Sequence, residues 1–117
     1  MGFAFAQLTE ITTISDSPGV LYANPAATTT YIRLIIIHNS NTTVETVKLW
    51  NVPDNGGSEG SEGDTNLFYQ VDLQPNQTEV IAFPAPGLIM LDENDGIQGD
   101  TITASKVTFQ MYGGTRT

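Results

Sequence analysis

The chain is expected to fold as an all-β protein: an antiparallel β-sandwich, jelly-roll-like, with about eight strands. Three observations predict this. Short runs rich in Val, Ile, Thr, Tyr and Phe recur along the sequence. Clusters of Gly, Pro, Asn, Asp and Ser punctuate them about every 8–12 residues. Apolar residues at helical spacing are missing, and only 15% of the residues are charged, against many threonines.

At 117 residues the sequence describes one domain, and a chain of this size buries about two-thirds of its unfolded surface. The expected division is an N-terminal segment, 1–19, serving as an arm or first strand, and a sandwich over 20–117 with a flexible acidic loop at 53–66. Without cysteine there is no disulfide framework, thiolate metal site or Cys nucleophile. The formal net charge is -9, and Arg33, Lys48, Lys106 and Arg116 are the only cations besides the N-terminus. Such a surface repels phosphate, so neither nucleic acid nor anionic membrane is an expected partner. No stretch approaches the ~20 apolar residues of a membrane span. The start, MGFAFAQLTEITTI, lacks the basic residues and cleavage site of a secretory signal.

In chain order, 7–14 reads as a first strand and Ser15-Asp16-Ser17-Pro18-Gly19 as a turn. Residues 20–23 form a short strand closed by Asn24-Pro25. The centre is 31–53, YIRLIIIHNSNTTVETVKLWNVP, which reads as a β-hairpin turning at Asn39–Thr42. Strand alternation puts Ile32, Leu34 and Ile36 on one face and Tyr31, Arg33, Ile35 and Ile37 on the other. In the second run Val47 and Leu49 share a face, opposed by Val44, Lys48, Trp50 and Val52. The first set in each run should point into a core. The second mixes aliphatics, aromatics and cations, so this face too should be covered, by the chain's own N-terminal segment or by another subunit. A register placing Arg33 opposite Trp50 avoids setting Arg33 against Lys48 and gains on the order of 0.5–1 kcal/mol from stacking.

Residues 53–66, PDNGGSEGSEGDTN, form a loop with four carboxylates (Asp54, Glu59, Glu62, Asp64). Its length and composition predict a solvated tip, with docking on a neighbouring subunit or a divalent cation as alternatives. Strand 66–73 should turn Leu67, Tyr69, Val71 and Leu73 inward and Phe68, Gln70 and Asp72 outward. Strand 78–83 ends at the Pro84-Ala85-Pro86-Gly87 corner, where two prolines remove ladder donors. Strands follow at 88–91, 97–102 and 106–112. In the last of these Val107, Phe109 and Met111 face inward and Gly113-Gly114 ends the strand.

His38, the single histidine, has no Ser-His-Asp context and reads as structural. Asp92-Glu93-Asn94-Asp95-Gly96 lacks the spacing of a calcium loop, because its Gly comes too early and no Glu stands at the twelfth position. The carboxylates fall mostly in turns, and none stands out as a glycosidase pair. Asn41-Thr42-Thr43 and Asn76-Gln77-Thr78 match the glycosylation pattern but read as turns. No cofactor, metal or catalytic residue is expected, and the chain is not expected to be an enzyme.

The succession YIRLIIIHN, TTVETVKLWNVP, a Gly/Ser/acidic loop, LFYQVDLQPNQTEVI and Gly-Asp-Thr-Ile before the last strand resembles small β-sandwich virion proteins of tailed bacteriophages, over about 20–112. The resemblance implies a non-enzymatic virion structural protein, assembled in the host cytoplasm. It would be a capsid decoration (cement) protein or a tail or neck accessory protein, binding the major capsid protein or another virion protein. Self-association is also expected, as a trimer. The expected interface residues are Phe3, Phe5, Tyr31, Arg33, Ile35, Lys48 and Trp50. The uncharged start Phe3-Ala4-Phe5-Ala6 would act as an anchoring arm or as a strand added to a partner. The alternative is a tail- or fibre-associated module that binds host-surface carbohydrate through Trp50, Tyr22, Tyr69 or Tyr112.

Overall fold

The computed structural model describes residues 4–117, and in them the chain is all β. Nine strands form two antiparallel sheets. They are β1 (Ala4–Thr13), β2 (Gly19–Ala23), β3 (Thr29–Asn39), β4 (Glu45–Val52), β5 (Leu67–Leu73), β6 (Thr78–Ala82), β7 (Leu88–Met90), β8 (Gly96–Asp100) and β9 (Val107–Arg116). One sheet has the order β1-β9-β3-β6, with β7 also on β3, and the other has the order β2-β8-β4-β5. β6 and β7 lie end to end along β3, against Leu34–His38 and Thr30–Ile32. Counted as one interrupted strand, they leave an eight-stranded jelly roll, as expected.

The core between the sheets contains Ile14, Ile32, Ile35, Ile37, Val47, Leu49, Leu73, Met90, Ile97, Val107, Phe109 and Met111. In β9 the alternation is as expected, with Val107, Phe109 and Met111 fully buried.

The central stretch is not a hairpin. β3 and β4 belong to different sheets, and 40–44 arches between them. Arg33 and Trp50 therefore never face each other. Asn39 explains the arch. Its side chain is buried, and its Nδ2 donates to the carbonyls of Thr43 (3.0 Å), Leu73 (3.0 Å) and Gln74 (3.3 Å). One amide thus serves carbonyls of the arch and of the end of β5 together.

The faces of β3 also depart from strict alternation. Ile32, Ile35 and Ile37 are buried, while Leu34 and Ile36 turn outward with only partial cover. A register shift between Ile32 and Leu34 makes Arg33 an extra residue, and the phase inverts beyond it. The corner after β6 fills this bulge: Phe83 N donates to Arg33 O (3.0 Å) and Arg33 Nε to Phe83 O (3.3 Å). A second shift, between Leu49–Tyr69 and Trp50–Leu67, leaves Phe68 extra in β5. Phe68 packs toward the core, its ring centroid 6.2 Å from that of Phe83, contrary to the outward position expected of it. Nor does β9 end at Gly113. Gly113 and Gly114 lie between Ala6 and Phe5 of β1 and Ile32 and Tyr31 of β3.

Tyr69 hydroxyl donates to the Glu79 carboxylate, tying β5 of one sheet to β6 of the other. Burial, followed by this bond and the Glu79 charge, raises the phenol to about 12. A raised folded value contributes stability in full below the ordinary 10.0, and that stability is lost as pH rises through about 12. One of the four tyrosines should therefore form phenolate late in an ultraviolet pH titration, and Tyr69→Phe should remove that component. Early titration of all four in the native protein would refute the bond.

Candidate functional site

The face carrying Trp50 belongs to the β2-β8-β4-β5 sheet. Trp50 and Val52 are 6% and 2% exposed, although they lie outside the main core cluster. Loop 53–66 shields this side. Gln98, the cross-strand partner of Trp50, donates from Nε2 to Gly60 O (2.9 Å). A Cβ on Gly60 would sit 3.0 Å from Val52 Cγ1 and 2.4 Å from Pro53 O, so the loop lies directly on the strand end. The cover that the sequence called for is thus part of the same chain, but it is the acidic loop and not the N-terminal segment. Lys48 stands opposite Asp100. Burial pushes the Asp100 carboxyl up, Lys48 draws it down, and nearby Glu62 raises it again.

The loop also reaches the end of the sandwich. Carboxylate oxygens of Asp54, Asp92 and Asp95 lie within 4.8 Å of one another. Asp95 accepts from Asp54 N (2.9 Å) and Asp92 N (3.0 Å), and Asp54 accepts from Gly57 N (3.2 Å). Buried Asn24 braces the group, donating from Nδ2 to Asp92 O (3.0 Å) and Thr28 O (2.7 Å). These are oxygen donors of the kind a hard divalent cation takes. Several of their lone pairs already hold loop 53–66 to the turn before β8. Sequence spacing could not have found the group, because Asp54 joins Asp92 and Asp95 only through the fold.

Of the expected interface residues, Ile35 is fully buried in the core and Trp50 lies beneath its own loop, so neither is available to a partner. Arg33 is engaged in the corner after β6. Tyr31 is half-buried, opposite Ile89 and Gly114. Lys48 is half-buried beside Asp100. Phe5 pairs with Gly114 through β1, which makes this part of the start a strand of the chain's own sheet. Phe3 lies outside the described residues. His38 Nδ1 meets Thr78 Oγ1 at 2.8 Å.

The surface that the sequence analysis missed is the outer side of the β1-β9-β3-β6 sheet. Beyond the bulge, β3 turns Leu34, Ile36 and His38 outward. β6 sets Ala82, Val80 and Thr78 beside them, and β9 sets Tyr112, Gln110 and Thr108. Val80 is 56% exposed, and Ile89 on β7 is 43% exposed. The only carboxylate on β3, β6, β7 or β9 is Glu79, which turns to Tyr69 of the other sheet. Across these four strands the face therefore carries no outward acid, its apolar residues standing among His38, Thr78, Thr108, Gln110 and Tyr112, with exposed Arg116 at the end of β9 and exposed Glu10 on β1 at the sheet's edge.

Fold and surface together define the class: a single jelly-roll domain with an outer face covered by its own loop on one sheet and an open face of mixed apolar and polar residues on the other. No protein-family model matches the chain, and no curated protein or solved structure proved similar to it.

Proposed function

We propose that this chain is a non-enzymatic structural protein of a tailed-phage virion, a head decoration protein that seats on the assembled capsid lattice from outside. The observation that carries this reading is the jelly-roll order β1-β9-β3-β6 over β2-β8-β4-β5, an architecture that recurs in viral capsid domains. The resemblance of its strand and turn phrases to small phage virion proteins supports the same reading. Action would be passive: a rigid sandwich attached at many equivalent lattice points gains by avidity, so each contact can be weak.

The carbohydrate-binding alternative wants exposed aromatic rings grouped beside amides. Trp50 is under its loop, and the Tyr22 and Tyr69 hydroxyls are engaged with Thr30 and Glu79. That arrangement favours the structural reading.

The test is co-purification. Phage particles from the source culture are banded on a density gradient and probed with antibody raised against the chain. The chain should band with the particles at a fixed ratio to the major capsid protein, and the antibody should label heads. Recovery only in the free protein fraction would overturn the proposal.

A further inference from the structure

We propose that Asn55 is a self-modification site: its side chain closes on the backbone nitrogen of Gly56, loses ammonia, and leaves an aspartyl or isoaspartyl residue that loosens loop 53–66 over Trp50. The proposal is independent of the virion reading.

Sequence and structure converge on this one asparagine. Asn55-Gly56 is the single Asn-Gly pair in the chain. Cyclisation needs the following backbone nitrogen to reach the side-chain carbonyl carbon, and a glycine puts no Cβ in the way and leaves its backbone free to turn. Both residues are exposed in the loop, and Gly56 and Gly57 have φ of 62° and 93°. Among the described residues neither the Asn55 side-chain amide nor Gly56 N has a hydrogen-bond partner. Asparagines elsewhere lack this freedom. Asn24 and Asn39 are buried with Nδ2 engaged, and Asn24 precedes a proline, which has no N–H to attack with. Asn94 donates to Gly57 O (3.0 Å) and precedes Asp95. Asp95-Gly96, the nearest chemical equivalent, has its glycine fixed in β8 between Ala23 and Val52.

The chemistry needs only water. Gly56 N gives its proton to a solvent base and bonds to Asn55 Cγ. The Cγ–Nδ2 bond breaks, and ammonia leaves with the electron pair and a proton. The five-membered succinimide then takes up water. Opening at Cγ leaves aspartate, and opening at the former backbone carbonyl leaves isoaspartate. One water enters and one ammonia departs, with no oxidation or reduction.

Either product sets a new carboxylate beside Asp54, in a loop that already meets Asp92 and Asp95 and, through Glu62, Asp100. Like charges at this range disfavour the closed loop. Isoaspartate also lengthens the backbone by one methylene. It moves Asn55 O, which accepts from Ser58 N (3.4 Å) and Ser58 Oγ (2.9 Å), onto a side branch. The turn closed by Asn55 N on Ser58 O (2.7 Å) must then reshape. That turn adjoins the two bonds that fasten the loop, from Asn94 to Gly57 O and from Gln98 to Gly60 O.

The experiment ages the purified full chain for days at about 37 °C and mildly alkaline pH. Intact mass, peptide fragmentation and acrylamide quenching are followed together, with Trp50, the one tryptophan, as the optical probe. The expected result is a gain of about one dalton per chain, confined to the peptide holding Asn55. Quenching of Trp50 should rise about twofold in step with it, as local opening of the loop requires. Asn55→Gln, at an exposed position, should show neither change over the same period, and Gly56→Ala should slow both by about tenfold. No gain in mass overturns the proposal. So does a gain at other asparagines, or one at Asn55 that leaves quenching where it began.

Discussion

Replacing Gly113 with alanine should destabilise the fold by about 4 kcal/mol or more, enough to remove most of the stability of a domain this size. A Cβ built there would lie 1.9 Å from Tyr31 O and about 3 Å from Tyr31 C and Ile32 Cα. All three are backbone atoms, so no side chain can swing aside. Gly113 sits opposite Ile32, at the point where the Arg33 bulge pushes β3 against β9. Relief would require separating β9 from β3 or shifting the bulge, and β9 is also the strand on which β1 pairs. The cost should exceed the 1–3 kcal/mol usual for overpacking a core, because the obstacle is a strand backbone. The measurement is the urea midpoint of the variant against wild type and Gly63→Ala. Gly63 has nothing within 4 Å of a built Cβ, so that control should move by less than about 0.5 kcal/mol. Wild-type stability in Gly113→Ala would refute the close approach of β9 to the bulge.

The second large effect is expected at Glu45. Its side chain is fully buried, yet it has no basic partner among the described residues. Hydrogen bonds hold it instead: Oε1 accepts from Ile102 N (3.1 Å) and Thr103 N (2.9 Å), and Oε2 from Asn41 Nδ2 (2.9 Å). Burial alone would raise the carboxyl. The donations from Thr103, Asn41 and Ile102 outweigh it and hold the group below the usual glutamate value. Glu45→Ala leaves three part-buried donors without their acceptor, and each costs about 1 kcal/mol. The total should be roughly 3 kcal/mol, or a melting temperature lower by on the order of 12 °C. Glu45→Gln keeps the shape and one acceptor and should lose about half as much. The sign of the pH dependence follows from the lowered value. The stabilisation is present in full above the unfolded value near 4.5 and is lost as pH falls through the folded one. Stability measured from pH 6 to pH 3 should fall more steeply in wild type than in Glu45→Gln. Parallel profiles would show that this carboxylate does not carry the arch.

These two residues also mark how far the sequence could be read. Gly113-Gly114 looked like a strand end, because glycines commonly are. Only the contact with Tyr31 O shows that Gly113 is required inside a continuing strand. Glu45 went unassigned, although its phase placed it with Val47 and Leu49 on the inward face. That inward position was the available signal, and a charged residue there calls for a partner. Tyr31, Arg33, Ile35, Lys48 and Trp50 were grouped by strict alternation in a hairpin. The bulge at Arg33 turned Ile35 into the core, and the loop after β4 covered Trp50. The apolar outer face passed to Leu34, Ile36 and Val80.

The sequence by itself determined the all-β sandwich class, most strand positions and the inward rows Val47/Leu49 and Val107/Phe109/Met111. These follow from β-propensity, turn chemistry and a period of two, all of which act between near neighbours. Only the tertiary structure decided which sheet each strand joined and where the alternation inverted. It also decided what covered the tryptophan face and which carboxylates met. Those outcomes depend on Asn39 reaching Leu73, on Glu45 reaching Thr103, on Asp54 reaching Asp95, and on Phe83 filling the bulge at Arg33. Each is a hydrogen bond between residues far apart in the chain, and local pattern carries no record of it.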